Sequence, residues 1–190
     1  MIIGITGSFG SGKTTVANLF KKYNFKIINV DKLYYGIYKT NKSLKIKLKK
    51  EFGTANRAKI KKIVFNDYKK LKSLNEITHP IILNETIKKI RKIRLKDKKI
   101  NVMIDAPLLL EAKAKKLVDK IIVVKCKKNI QIKRILQKKK KYSEKEIENI
   151  IKSQMPLKEK LKHADFVVDN SYPISNTENQ VKKIINNIKN

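Results

Sequence analysis

Short apolar, β-branched runs recur along the chain at residues 2–6, 26–30, 100–105, 120–124 and 166–169. None alternates strictly with polar residues, and helix-compatible sequence separates each from the next. That pattern predicts a five-stranded, mostly parallel sheet covered on both faces, an α/β fold. Apolar residues at helical spacing predict the covering elements. One helix opens at Lys13 and runs through Val16, Ala17 and Phe20. Another spans 130–138, and a C-terminal one over 175–188 turns Val181, Ile184, Ile185 and Ile188 to the sheet. Ser143 and Glu146 have the spacing of a capping box, which starts a helix after a basic connection.

The strands are unevenly spaced. The stretch from Asp31 to Ile100 contains no strand pattern and is longer than one crossover helix requires, so residues 34–96 are expected to form an inserted helical subdomain suited to covering a second ligand. Within it, helices are predicted over 57–71 (Ile60, Ile63, Val64) and 80–96 (Ile81, Ile82, Ile87, Ile90), the second with Thr78 as N-cap and Pro80 in its first turn. The nucleotide-binding core would then comprise residues 1–33 and 97–190. The basic connection Lys139-Lys140-Lys141-Tyr142 reads as part of a short lid over 137–146.

Composition narrows the class. The chain has 190 residues, 41% of them apolar, enough for one sizeable core and too many for a disordered polyelectrolyte. A single cysteine, Cys126, offers no internal disulfide, and no charged leader precedes a long apolar run. A cytoplasmic location is expected. No apolar stretch approaches the length of a spanning helix, about 20 residues, so no membrane association is expected. Lys and Arg number 47 against 16 Asp and Glu, a net charge of +31. That charge has two readings, a polyanion-binding surface or the bias of an AT-rich coding sequence. The second is favoured because only four of the basic residues are arginine and the lysines spread through every predicted helix.

One segment carries specific chemistry. Gly7-Ser8-Phe9-Gly10-Ser11-Gly12-Lys13-Thr14 matches the phosphate-loop pattern G-x-x-x-x-G-K-[ST], and it lies between a predicted strand and a predicted helix. In that pattern the glycines let backbone N–H groups turn toward the phosphates, the helix N-terminus adds partial positive charge, the lysine reaches the β- and γ-phosphates and the hydroxyl holds magnesium. Lys13 and Thr14 would carry the last two roles in binding a nucleoside triphosphate. Asp31, at the expected C-terminal end of the second strand, is placed either to accept the proton of an acceptor hydroxyl or to cap a helix beginning at Lys32. Asp105, ending the third strand, is placed either to bind the magnesium shell, directly or through water, or to make a structural hydrogen bond to the loop.

Taken in order, these segments resemble dephospho-CoA kinase over nearly the whole chain. The resemblance rests on the phosphate loop, Ile28-Asn29-Val30-Asp31, Leu74-Asn75-Glu76-Ile77-Thr78-His79-Pro80, Asp105-Ala106-Pro107-Leu108-Leu109-Leu110-Glu111, Gln131-Ile132-Lys133-Arg134, and Gln154 through Glu159-Lys160 to Ala164-Asp165-Phe166-Val167-Val168-Asp169-Asn170. It implies a P-loop NTPase fold with a helical acceptor-binding insertion, and ATP- and Mg2+-dependent phosphorylation of the ribose 3′-hydroxyl of dephospho-coenzyme A. Asp31 matches the family's base, Gly10, Ser11, Gly12, Lys13, Thr14 and Thr15 match its ATP loop, and Lys13 and Arg134 complete the catalytic set. Arg57 and His79 match acceptor-side positions, although His79 also reads as an N-terminal helix residue orienting the Pro80 turn. Thr14, from the loop pattern, and Asp105, from its place at a strand end, are the candidate metal residues. Two small-molecule substrates, no specific nucleic acid and a monomer are expected.

This chain departs from the family pattern in three places. Lys138 stands where a second arginine is usual, the connection from Gly53 to Arg57 is short, and Asn29 replaces a common acid. The rival readings are another P-loop nucleoside or nucleotide kinase and, from a different class, a basic nucleic-acid-binding protein with an ATP switch.

Overall fold

The fold was analysed in a computed structural model that describes residues 1–65, 67–138 and 142–189, with the backbone alone described at Lys138 and Lys189. Five parallel strands, β1 (Ile2–Gly7), β2 (Phe25–Asn29), β3 (Asn101–Asp105), β4 (Lys120–Lys125) and β5 (Phe166–Asp169), form one sheet in the order β2-β3-β1-β4-β5. The sheet is the one the apolar runs predict. Its middle strand, β1, is buried from Ile3 to Gly7, which explains why its sequence does not alternate.

The chain divides into two compact units, Met1–Asn29 with Ile93–Asn190, and Val30–Lys92. In the first, α1 (Lys13–Leu19) and α9 (Ile174–Lys189) pack on the sheet around a core of Ile3, Ile5, Phe20, Met103, Ile122 and Val181. The same unit holds α6 (Lys128–Lys138), α7 (Glu144–Lys152) and α8 (Leu157–Leu161). The Ser143–Glu146 capping box forms as its spacing predicts, with Glu146 N–H donating to Ser143 Oγ at 3.2 Å and Ser143 N–H to Glu146 Oε2 at 2.8 Å. Of the expected lid, residues 139–141 lie outside the described residues.

The second unit holds α2 (Val30–Thr40), α3 (Lys42–Phe52), α4 (Arg57–Phe65) and most of α5 (Tyr68–Lys96). Ile37, Leu44, Leu48, Phe52 and Ile60 make its own core, joined by Leu74, Ile77, Ile81 and Ile82 from α5. Leu44 and Leu48 are fully buried, so truncating either to alanine costs about 2–5 kcal/mol.

Three helix boundaries differ from expectation. The helix expected over 57–71 stops at Phe65, and α5 starts at Tyr68 with Asp67 as its cap, its Oδ1 accepting Lys70 N–H at 3.0 Å. The helix expected to begin near Pro80 instead runs 29 residues with Pro80 inside it. Thr78 caps nothing; its hydroxyl donates back to the Leu74 carbonyl at 2.8 Å. An internal proline costs a helix about 3 kcal/mol, and here the apolar face on both sides of it, Leu74 and Ile77 before, Ile81 and Ile82 after, packs into one core and offsets that cost. Finally, β2 ends at Asn29, so Asp31 lies in the first turn of α2 rather than at a strand end or ahead of a helix starting at Lys32.

A carboxylate pins the entry to the outer strand. Asp165 accepts from Ile121 N–H at 2.8 Å and from Lys120 Nζ at 3.2 Å. Burial alone pushes its pKa up, but these donors outweigh burial and hold it below the ordinary value. A depressed folded pKa stabilises the fold above the unfolded value, and that contribution is lost as pH falls through the folded one. Asp165→Asn is therefore expected to lower the unfolding midpoint at pH 7, with the gap to wild type closing below about pH 4. Thermal melts of both proteins from roughly pH 2.5 to 7 check this.

Candidate active site

The phosphate loop leaves β1 at the C-terminal edge of the sheet, the edge where open parallel sheets bind ligands. Gly10 and Gly12 adopt left-handed backbone, φ 81° and 86°. Both are also confined sterically. A Cβ on Gly10 would lie 2.4 Å from Ile135 Cδ1 of α6, and one on Gly12 would lie 2.1 Å from the side-chain nitrogen of Asn170. Lys13 opens α1, 8% exposed, and its ammonium donates to the Ser8 carbonyl at 2.9 Å, across the loop it closes. Thr14 and Thr15 are exposed on the first turn of α1, and Ser11 is buried.

Three strand ends meet around this loop. Asp105, 2% exposed at the end of β3, accepts the Thr14 hydroxyl at 2.7 Å on Oδ2. The Asn29 amide, at the end of β2, donates to the same oxygen at 2.7 Å. Asn170, just past β5, is buried and gives its side-chain N–H to the Ser11 carbonyl at 2.9 Å while its side-chain oxygen accepts from Thr177 at 3.0 Å. Its backbone carbonyl accepts from Arg134 Nη1 at 2.7 Å, and the same guanidinium nitrogen lies 3.6 Å from Cys126 Sγ. Arg134 is thereby held on the residue that holds the loop. Burial pushes the Cys126 thiol above its ordinary pKa, and the nearby Arg134 charge only partly counters it.

A second network supports the loop from α7 and α8. Gln154 Oε1 accepts Phe9 N–H at 2.9 Å. Glu111 Oε1 accepts Met155 N–H at 3.0 Å and pairs at 2.9 Å with Lys160, which is fully buried. Lys160 also donates at 2.8 Å to the Pro107 carbonyl, which receives the Thr6 hydroxyl at 2.9 Å. This network ties the loop, the segment after β3 and the chain beyond α7 together. Removing one partner of such a buried pair costs about 3–5 kcal/mol.

The remaining expected residues lie in the Val30–Lys92 unit. Asp31 is exposed in the first turn of α2, where helix polarity favours an acid. Arg57 begins α4 with its guanidinium carbon 5.4, 5.2 and 5.4 Å from the ring centroids of Tyr34, Tyr35 and Tyr38. Burial raises the Tyr34 pKa, against a smaller lowering by Arg57. His79 is half-buried in the middle of α5, which removes its reading as an N-terminal helix residue.

The phosphate loop alone does not fix an acceptor, but the whole-chain comparison does. The family model for dephospho-CoA kinase matches residues 1–176. The chain belongs to the dephospho-CoA kinase family. Its members perform the ATP-dependent phosphorylation that completes coenzyme A biosynthesis. The dephospho-CoA kinase of Carboxydothermus hydrogenoformans is 39% identical over 193 residues, covering 97% of this chain and 92% of that protein. Among solved structures, the dephospho-CoA kinase from Campylobacter jejuni superposes with a TM-score of 0.67 at 26% identity, over 98% of this chain and 96% of that one. TT1252 from Thermus thermophilus gives a TM-score of 0.80 at 25% identity over 98% and 97%. The P-loop NTPase fold expected from the sequence therefore holds over 98% of this chain.

No local sequence pattern assigns a role to Asn170, Gln154, Lys160, Glu111 or Asn29. All five lie inside segments that carry the family resemblance, which was the available signal; the partners that give them meaning lie far away in the chain. The Gly12–Asn170 contact yields a direct expectation. Gly12→Ala requires both left-handed backbone and displacement of Asn170, so it should weaken ATP binding at least about a hundredfold, on the scale of two or more strained or broken backbone contacts. Calorimetric titration of ATP into the folded variant checks it, and near-normal affinity would show that the loop tolerates the side chain.

Proposed function

We propose that the chain transfers the γ-phosphoryl group of ATP to the ribose 3′-hydroxyl of dephospho-coenzyme A by in-line displacement, with Asp31 as the base. The observation that carries the reading is the pre-built donor side: a loop with left-handed, closely approached glycines at positions 10 and 12, closed by Lys13, with Thr14 and Asp105 joined at 2.7 Å beside it. Positioning and charge neutralisation supply most of the acceleration in such transfers.

On this reading Gly10 to Thr15 hold the phosphates of ATP through backbone N–H groups and the α1 N-terminus. Lys13 exchanges the Ser8 carbonyl for phosphate oxygen, and Arg134, anchored on Asn170, offers its remaining N–H groups to the nucleotide. Asp31 accepts the proton of the 3′-hydroxyl. Arg57 and His79 belong to the acceptor-binding surface of the insertion, residues 34–96, and residues 137–146 act as the lid that excludes water.

The donor set at Thr14 and Asp105 suits magnesium, since a hydroxyl and a carboxylate are hard oxygen ligands of the kind that cation shares with substrate phosphates. Among the described residues no group of three His, Cys, Asp or Glu side chains forms a closed cage, which fits a metal completed by nucleotide. Thr14 and Asp105 would hold it, directly or through water, and when bound it neutralises charge on the phosphates. The same reading assigns the protein to the cytoplasm as a monomer acting on two small substrates. Among the described residues no helix is long and apolar enough to cross a membrane.

Asp31→Asn separates the base from the binding machinery. It is expected to lower kcat at least about a hundredfold while leaving ATP affinity nearly intact. Coupled ADP release with dephospho-coenzyme A and magnesium-ATP, with the product weighed by mass spectrometry, measures this; wild-type turnover in the variant would remove Asp31 from the mechanism.

A further inference from the structure

Asn29 and Asp105 are paired in register on adjacent parallel strands, the last residues of β2 and β3. The Asn29 amide nitrogen lies 2.7 Å from Asp105 Oδ2, the oxygen that also receives the Thr14 hydroxyl at 2.7 Å. Only the nitrogen end of a primary amide carries hydrogens, and an ionised carboxylate only accepts. Asn29 therefore donates, and one buried anionic oxygen is gripped by a β2 donor and an α1 donor together. Asp105 is 2% exposed, so water is a poor substitute for either.

The neutrality of Asn29 has a consequence for charge. Asp105 and Thr14 together bring one negative charge, already satisfied by two hydrogen bonds. A carboxylate at position 29 would bring a second negative charge to the same spacing, with no hydrogen to give, an arrangement that a divalent cation relieves. Affinity of oxygen sites for hard cations follows the number of charged ligands. We propose that Asn29 is a positioning residue for phosphoryl transfer: its amide holds the Asp105 carboxylate against Thr14 without a cation, so that magnesium enters with the nucleotide and not alone. The inference rests on the assignment of Thr14 and Asp105 to magnesium.

Full-length wild type, Asn29→Asp and Asn29→Ala test it, first with Mn2+ as probe in the absence of nucleotide and acceptor. Electron paramagnetic resonance of free Mn2+ is expected to show Asn29→Asp binding one ion at least about tenfold more tightly than wild type, as added ligand charge dictates. Adding Asp105→Asn to that variant should abolish the gain. In steady-state assays Asn29→Ala is expected to lower kcat about tenfold or more, with KM for both substrates within about twofold, the pattern of lost orientation rather than lost binding. Equal Mn2+ affinity in wild type and Asn29→Asp overturns the proposal, as does a gain that survives Asp105→Asn or a wild-type kcat in Asn29→Ala. Should Asn29→Asp fail to fold by circular dichroism, the kcat and KM of Asn29→Ala decide alone. The Mn2+ measurement involves no turnover, so loss of the Asp31 assignment would leave it standing.

Discussion

The buried side chain of Asn170 is the constraint on which the nucleotide site depends. Its amide reaches back across 159 positions of sequence to the Ser11 carbonyl, its oxygen takes the Thr177 hydroxyl of α9, and its backbone carbonyl receives Arg134 of α6. A phosphate loop must point its N–H groups inward, which leaves carbonyls such as that of Ser11 turned outward and in need of a donor. Asn170 supplies it from the end of β5. The same residue thus shapes the loop, sets the position of Arg134 and ties both to the helix that covers the sheet.

Asp105 plays the matching part on the other side of β1. Where Asn170 satisfies the loop's backbone, Asp105 orients the Thr14 side chain, and Asn29 in turn orients Asp105. Behind both, Lys160 and Glu111 hold the turn after β3 through the Pro107 carbonyl. The functional hydroxyl and ammonium groups therefore rest on a frame of buried polar contacts in which nearly every member contacts a different secondary-structure element. Such networks are costly when broken and rigid when complete.

What the sequence made legible follows from range. The strands and the phosphate loop are read from neighbours a few residues apart, and so is the Ser143–Glu146 cap. Pro80 misled because the local rule for proline is sound, whereas the core that carries α5 through it is assembled from α2, α3 and α4. α2 is expected only as a helix beginning at Lys32, and α3 is not singled out because lysines crowd the turns between Leu44, Leu48 and Phe52 and obscure the apolar stripe. The contacts of Asn29, Gln154 and Asn170 span 76, 145 and 159 positions, and no local pattern encodes them. The charge follows the same division. Among the described residues the buried basic side chains are Lys13 and Lys160, each engaged with a backbone carbonyl, and Arg134 and Arg57 make specific contacts of their own; most of the other described lysines are exposed.

The close approach of Gly12 to Asn170 also bears on how this sequence can change. A Cβ at position 12 would occupy the space of the amide at position 170, 158 residues later in the chain, so any side chain at position 12 requires Asn170 to give way. A substitution there costs not only its own left-handed backbone but also the donor that Asn170 lends to the Ser11 carbonyl.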